Sequence, residues 1–206
     1  YDSIGASYAS VKRLPAVAFE QLNIRRTLAP HIAGARCLDL ACGTGYYSRL
    51  LLDWGAASVL GVDISGTMVE AARAQSTAYG DRASFAVADC SNPAELPGGP
   101  FDVVLGVWLL NYAGGPGALA DMFRLVAMNL APSSPSIFVG LTMPPAADVP
   151  ALAESTYGDE EWRARYGILI DYGPELEDGS GYPIHVSVNT EAGEIAFDAF
   201  HLRKEV

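Results

Sequence analysis

The chain has 206 residues, a length that fits one domain with a sizeable hydrophobic core. Its 24 acidic residues outnumber 13 lysines and arginines, and the formal net charge of −11 argues against nucleic acid or an anionic membrane as partner. No apolar run approaches the roughly 18 residues needed to cross a bilayer. Three cysteines without a C-x-x-C pair indicate reduced thiols in a cytoplasmic protein.

The N-terminal part of the chain predicts two helices, over residues 3–13 and 15–32. Pro15 separates them and suits the first turn of the second helix. The apolar residues that recur there at helical spacing are Ala16, Phe19, Leu22 and Ile24.

Residues 35–142 alternate between short apolar segments and helical patterns, which predicts a parallel sheet covered on both faces by helices. The predicted strands are 35–41, 58–63, 83–89, 101–107 and 136–142. The predicted helices are 44–54, ending near Gly55, then 66–80, closed by Gly80, and 116–130. A Pro-rich break follows the fifth strand.

The last third of the chain has a different character. Residues 166–172, 182–188 and 194–202 read as strands joined by short, turn-rich loops. They predict an antiparallel meander that either extends the sheet or lies over it.

The segment "LDLACGTGYYSRLL" holds two glycines, Gly43 and Gly45, directly after the first predicted strand. Ligands of open α/β sheets bind at the carboxyl ends of the strands, and glycine lets a ligand approach the backbone closely. Asp63 ends the second strand, twenty residues after Gly43, where an acid can accept hydrogen bonds from both ribose hydroxyls. The alternative for Asp63 is a helix N-cap.

An NAD or FAD site fits this turn poorly. The third glycine of G-x-G-x-x-G is replaced by Ser48, and Asp39 in the strand would repel a pyrophosphate. The same carboxylate would attract a cation. S-adenosylmethionine (SAM) is nucleoside-like, lacks phosphate and carries a sulfonium and an α-ammonium, so it is the predicted ligand.

Four segments in order, "LDLACGTGYYS", "VLGVDIS", "VADC" and "FDVVLGVWLLNY", resemble the motifs of class I SAM-dependent methyltransferases. The resemblance covers residues 35–142. It implies an α/β fold with a three-layer, Rossmann-like sheet, N-terminal helices and a C-terminal meander. The segments "YDSIGASYASVK" and "FDAFHLRKEV" further resemble the toxoflavin-synthase-type subgroup of small-molecule methyltransferases.

The resemblance implies a set of cofactor-binding residues. Asp39 would hold the amino group of the methionine moiety, Asp63 the ribose, and Asp89 the adenine amino group. The full set is Tyr8, Asp39, Ala41, Cys42, Gly43, Gly45, Asp63, Ile64, Met68, Asp89, Cys90, Gly106 and Val107. Two alternatives stay open: Asp89 could cap a turn, and Met68 could belong to the core.

The acceptor is expected to be a small molecule. After the fourth strand the chain lacks the N/D-P-P-Y/F turn typical of nucleic-acid amino methyltransferases, the paired glutamates of arginine methyltransferases, and the clustered carboxylates of metal-dependent catechol enzymes. No metal is therefore predicted. The expected substrate-side residues are Tyr1, Lys12, Trp108, Asn111 and Tyr112, and the candidate bases are His185 and His201.

The sequence thus predicts SAM-dependent methyl transfer to an oxygen or nitrogen of a small aromatic or heteroaromatic metabolite. The alternatives are a SAM-binding enzyme that does not methylate, such as a cyclase or isomerase, a non-catalytic partner subunit, and an NAD-linked oxidoreductase.

One domain is expected, with a helical cap at 1–34, a SAM-binding core at 35–142 and a substrate-side insertion at 143–206. The sequence leaves the oligomeric state open, with a homodimer as one alternative. The resemblance implies a final helix and a β-hairpin after "RKEV", where this sequence stops, so a longer natural chain, a neighbouring molecule or the meander is expected to cover the fifth strand.

Overall fold

The computed structural model describes residues 10–132, 135–144, 146–156, 160–191 and 193–206. Five strands alternate with helices in the first part of the chain: β1 (Arg36–Leu40), β2 (Ser58–Asp63), β3 (Ala83–Val87), β4 (Val103–Val107) and β5 (Ile137–Leu141). Three strands follow later: β6 (Ile168–Tyr172), β7 (Gly181–Thr190) and β8 (Gly193–Leu202). The α-helices are α1 (Pro15–Leu28), α2 (Tyr46–Asp53), α3 (Gly66–Gln75), α4 (Pro116–Asn129), α5 (Val149–Thr156) and α6 (Glu160–Tyr166).

The first five strands form one parallel sheet in the order β3-β2-β1-β4-β5. The strand order reverses between β1 and β4, and in such sheets the crevice at the reversal is the usual ligand site. Asp39 lies in this central position, since it pairs with Gly61 of β2 and with Leu105 of β4. The predicted Rossmann-like class is confirmed.

Side chains alternate across β1 and build a separate core on each face of the sheet. Cys37 packs with Leu28 of α1 and Leu51 of α2 on one face. Leu38 packs with Leu125 of α4 on the other. A helical layer therefore covers each face, as an all-parallel sheet requires.

The antiparallel strands form a second, separate sheet in the order β6-β7-β8. Its inner face, which includes Ile170 and Val186, packs against Leu14, Trp108 and Tyr112. The meander therefore lies over the strand ends of the first sheet. It does not extend that sheet, and β5 is the last strand in the order of the first sheet.

Several predicted boundaries are wrong. The predicted helix 3–13 lies largely outside the described residues, and 10–13 form a short 3-10 turn. The second helix ends at Leu28, and two residues of its predicted apolar face, Phe19 and Leu22, are exposed. The helix predicted to end at Gly80 ends at Gln75, because a 3-10 segment with Gly80 at φ 56° follows it. Helices α5 and α6 were not predicted. Within the described ranges, no helix combines the length and apolar character of a membrane span.

Candidate active site

A cavity of about 310 Å³ opens at the carboxyl ends of β1, β2 and β4. Several residues predicted for the cofactor line it: Ala41, Gly43, Asp63, Ile64, Met68, Asp89, Cys90 and Val107. Trp108 and Tyr112, predicted for the acceptor, also line it, as do the unpredicted Ser91, Leu109 and Met122. No lysine or arginine is among its described lining residues, so the wall carries carboxylates without a basic partner for a phosphate.

The two glycines of the turn after β1 have different roles. Both have positive φ, 53° for Gly43 and 75° for Gly45. A Cβ on Gly43 would meet no protein atom within 4 Å and would project into free space beside the cavity. A Cβ on Gly45 would come within 3.1 Å of Ala72 and Phe85, so this predicted cofactor residue serves close packing against α3 and β3.

Asp63 ties the turn to the end of β2. One carboxylate oxygen accepts a hydrogen bond from the backbone N–H of Gly43 at 2.8 Å, and the other accepts one from the N–H of Ser65 at 3.0 Å. The N-cap of α3 is Ser65, whose hydroxyl oxygen accepts from the N–H of Met68. Since each carboxylate oxygen has a second lone pair, Asp63 can still accept bonds from a ligand in the cavity.

Asp39 lies beside the turn and is almost completely buried. The Ser48 hydroxyl donates a 2.6 Å hydrogen bond to its carboxylate. Burial raises the pKa of Asp39 to about 7, while this hydrogen bond and the charge of Lys12 oppose the rise. Asp39 lines a small cavity of about 40 Å³ together with Lys12, Cys42 and Gly43. A further cation beside this carboxylate would favour its ionised form, as the charge of Lys12 does.

Asp89 is held by its own loop. Its carboxylate accepts bonds from the N–H and hydroxyl of Ser91 and from the side-chain amide of Asn92. These contacts are the ones expected if Asp89 caps a turn, which is the alternative role given above. Asp89 also lines the larger cavity. Neighbouring Cys90 is an inert thiol, because burial raises its pKa to about 12.

Among the residues that the structure describes, two non-glycine residues adopt the left-handed backbone conformation, and both follow central strands. Ala41, with φ 55°, comes directly after β1, and Trp108, with φ 64°, comes directly after β4. Such conformations cost about 1–3 kcal/mol and concentrate at functional sites. Both residues line the larger cavity.

A second cavity of about 220 Å³ lies between α1 and the inner face of the antiparallel sheet. Trp108 and Tyr112 line both cavities and so form the wall between them. Lys12 lines the second cavity and also the small cavity that contains Asp39.

A charged network built on Glu20 of α1 lies at this junction. Its carboxylate accepts a 2.8 Å hydrogen bond from the indole Nε1–H of Trp108 and another from the Tyr47 hydroxyl. Lys12 Nζ lies 3.6 Å from the same carboxylate. Burial lowers the pKa of Lys12, and the charge of Glu20 opposes that change.

Other predicted residues lie away from both cavities. His201 is buried and bonded to the Tyr172 hydroxyl and the Pro144 carbonyl, and burial lowers its pKa. His185 is half-exposed and pairs with Asp198. Neither histidine lines the larger cavity, the second cavity or the small cavity beside Asp39, so the geometry does not support their use as bases. Gly106 packs against Leu109 and Phe138 inside the core.

Asn111 lines the second cavity, but its amide is engaged in structural bonds. It donates to the Phe200 carbonyl at 3.2 Å and accepts from the Thr142 hydroxyl at 3.0 Å. Lys12 and Glu20 are further polar side chains in the lining of the same cavity. Tyr1 and Tyr8 lie outside the described residues.

Sequence reasoning missed Ser48 and Glu20. Ser48 was noted only as a missing glycine, although a hydroxyl nine residues after an in-strand acid is a potential donor to it. Glu20 gave a weaker signal, since one acid within a helical pattern normally faces solvent. Among the described residues, no three His, Cys, Asp or Glu side chains cluster as metal ligands would.

Comparisons with known proteins agree with this geometry. Residues 37–132 match the family model described as a methyltransferase domain. A ribosomal protein L11 methyltransferase of Ralstonia pickettii is 31% identical over 140 residues, which is 68% of this chain and 43% of that protein. A malonyl-[acyl-carrier protein] O-methyltransferase of Magnetococcus marinus is 31% identical over 67% of this chain and 44% of its own length. The chain spans less than half the length of each of these two curated relatives.

A solved structure resembles this chain in fold over most of its length. A SAM-dependent methyltransferase from Clostridium acetobutylicum superposes with a TM-score of 0.58 at 20% identity, covering 89% of this chain and 72% of that one. At this identity the likeness establishes the fold. The protein therefore has the fold of this SAM-dependent methyltransferase, and its residues 37–132 match a methyltransferase domain.

Proposed function

We propose that this protein is a SAM-dependent methyltransferase that methylates an oxygen or nitrogen of a small aromatic or heteroaromatic metabolite. One observation carries the proposal. Asp39, the bare backbone of Gly43 and the carboxylate of Asp63 meet at the strand ends where the sheet order reverses. The family match over residues 37–132 supports it. Membership of the toxoflavin-synthase-type subgroup is part of the proposal.

The chemistry of the cavity wall fits SAM better than a dinucleotide. Gly43 leaves room where a Cβ would stand, and the acidic wall suits a ligand that carries positive charge and no phosphate. Asp63 would accept bonds from the ribose hydroxyls. Ile64, which is 64% exposed beside the cavity, would cover the adenine with Met68. Asp39 would pair with the α-ammonium of the methionine moiety.

The catalytic contribution of the chain is positioning. Bound SAM supplies a methyl group on a sulfonium that is already a good leaving group. Holding an acceptor atom close to that methyl can contribute roughly 7–11 kcal/mol to lowering the barrier. Trp108 and Tyr112 are the residues suited to this task, since they line the space on both sides.

The acceptor class rests on this chain's own features. The curated relatives include one named for a ribosomal protein and one named for an acyl-carrier-protein ester. A small molecule is favoured here because the second cavity has only about 220 Å³ and a mostly apolar lining. The net charge of −11 disfavours nucleic acid as the acceptor.

Calorimetric titration with S-adenosylhomocysteine (SAH), the demethylated product, tests the proposal. We expect micromolar binding by the wild type and none of NAD. Asp63→Asn should weaken SAH binding by at least about 1 kcal/mol through lost ribose hydrogen bonds. Asp171→Asn, the same change at an exposed position of β6, should leave it unchanged. Absence of SAH binding would refute the proposal.

The rival functions predict different products. A cyclase, an isomerase or a partner subunit would bind SAH equally well, so the mass of the reaction product separates them from a methyltransferase. Binding of NAD without binding of SAH would favour an oxidoreductase.

A further inference from the structure

The second cavity is placed to receive a molecule beside the cofactor cavity. Its floor is the inner face of the antiparallel sheet, including Ile170, Val188 and Ala199, and its roof is α1. Trp108 and Tyr112 separate it from the strand-end cavity by one layer of side chains. Lys12 lines both this cavity and the small cavity beside Asp39 and Gly43, so a ligand here would approach a cofactor bound at the turn from the Lys12 end.

Volume and lining define the chemical class of that ligand. An apolar cavity of about 150 Å³ holds one benzene ring, and this cavity has about 220 Å³. It is smaller than the roughly 300–1,000 Å³ of sites for drug-sized ligands. The matching ligand is a substituted or fused ring system. A net charge on it would lose its hydration against these aliphatic walls without a free counter-ion.

The charged side chains among the described lining residues are Lys12 and Glu20. They form an ion pair with no net charge, at the end of the cavity that adjoins Asp39 and Gly43. The amide of Asn111 is already engaged at both its oxygen and its nitrogen. Because Lys12 and Glu20 are charged and attract a polar group more strongly than an amide does, a ligand with one polar group would direct it toward them, at the end nearest the cofactor turn.

We infer, on the basis of the proposed function, that this cavity binds the methyl acceptor. The acceptor is an uncharged, one- or two-ring molecule whose hydroxyl or ring nitrogen, the atom to be methylated, faces the Lys12–Glu20 pair. In the transfer, that atom would form a bond to the methyl carbon while the S–CH3 bond breaks and the sulfur keeps the bonding electron pair. Any proton on the acceptor atom would pass to water. Its apolar part rests on the inner face of β6, β7 and β8. Trp108 orients it from the side of the cofactor, since its indole is fixed by the bond to Glu20.

Calorimetry with 1-naphthol as the probe, in the absence of cofactor, tests the assignment. We expect saturable binding of 1-naphthol and at least about tenfold weaker binding of the anionic 1-naphthoate. Ala199→Phe should fill the cavity and weaken naphthol binding by at least about tenfold. The matched control is Ala196→Phe, the same change on β8 at a position of the opposite face, and it should bind naphthol like the wild type.

SAH binding by each variant separates the two hypotheses. Ala199→Phe should still bind SAH, which also establishes that it folds, and Val188→Phe fills the cavity from β7 if Ala199→Phe does not fold. Unchanged naphthol binding in a cavity-filled variant, or equal binding of naphthol and naphthoate, would overturn this inference and leave the methyltransferase proposal intact. If the wild type binds naphthol but not SAH, the proposed function is overturned, and so is the assignment of this cavity to a methyl acceptor.

Discussion

Gly43 and Gly45 lie two residues apart in the same turn, yet their surroundings differ. Both need a left-handed backbone, which costs other residues about 1–2 kcal/mol. Only Gly43 has free space where a Cβ would stand, whereas Gly45 faces Ala72 and Phe85. Spacing alone identified both as cofactor residues, because a sequence motif does not tell a ligand contact from a packing contact.

Alanine at each glycine should separate these roles. Gly43→Ala should lower the free energy of unfolding by about 1–2 kcal/mol and weaken SAH binding by about tenfold or more, because its Cβ enters the ligand space. Gly45→Ala should destabilise by about 1–3 kcal/mol more through overpacking, with a smaller effect on SAH binding. Urea unfolding and calorimetry measure the two quantities. Equal effects of both variants on SAH affinity would contradict the assignment.

Asp39 was predicted correctly to stand beside the turn, but its environment was not. The residue type indicates a cation partner, yet burial and the bond from Ser48 appear only when β1 and α2 are folded together. Burial raises the pKa of Asp39, and the Ser48 bond opposes the rise. The resulting pKa of about 7 lies in the range where the carboxyl group can gain or lose its proton under ordinary conditions. No local sequence pattern indicates the burial or the hydrogen bond of Asp39.

At the scale of elements, α1 departs most from its prediction. The apolar periodicity placed Phe19 and Leu22 inside, but they are exposed, and Glu20 turns inward. Periodicity assumes that a helix covers a dry core. Part of α1 covers a cavity with an ion pair, so that assumption fails there.

The Lys12–Glu20 pair makes a stability prediction for α1. Glu20→Gln should lower the free energy of unfolding by about 3 kcal/mol at neutral pH, because it leaves a largely buried Lys12 without its counter-charge. The double variant Lys12→Met/Glu20→Gln should recover at least about half of that loss. Urea unfolding measures both. A double variant no more stable than Glu20→Gln would show that the pair is not coupled.

Helices α5 and α6 illustrate another limit of sequence patterns. The segment before them is rich in proline and reads as a break, yet α5 begins at Val149 and has Pro150 in its first turn, where proline is compatible with a helix. Both helices have eight residues or fewer, too short for a clear hydrophobic period. The longer helix α4 begins at its predicted residue and ends one residue before its predicted end.

At the scale of the whole molecule, the arrangement of the two sheets creates the site. Alternating strands and helices predicted the parallel sheet, and turn-rich loops predicted the meander. Strand order and the position of the meander over the strand ends depend on long-range packing, which the sequence does not display. The junction of the two cavities at Trp108 follows from that arrangement.

The proposed function requires that a charged Asp39 beside the glycine turn binds the cationic cofactor. Calorimetric titration with SAM at about pH 5.5 and about pH 7.5 tests it most directly, because Asp39 is mostly protonated at the lower value and mostly ionised at the higher. We predict that the wild type binds SAM at least about tenfold more weakly at the lower pH than at the higher. Asp39→Asn should bind SAM weakly at both pH values. Equal affinity of the wild type at both pH values, or no binding at either, would contradict the account.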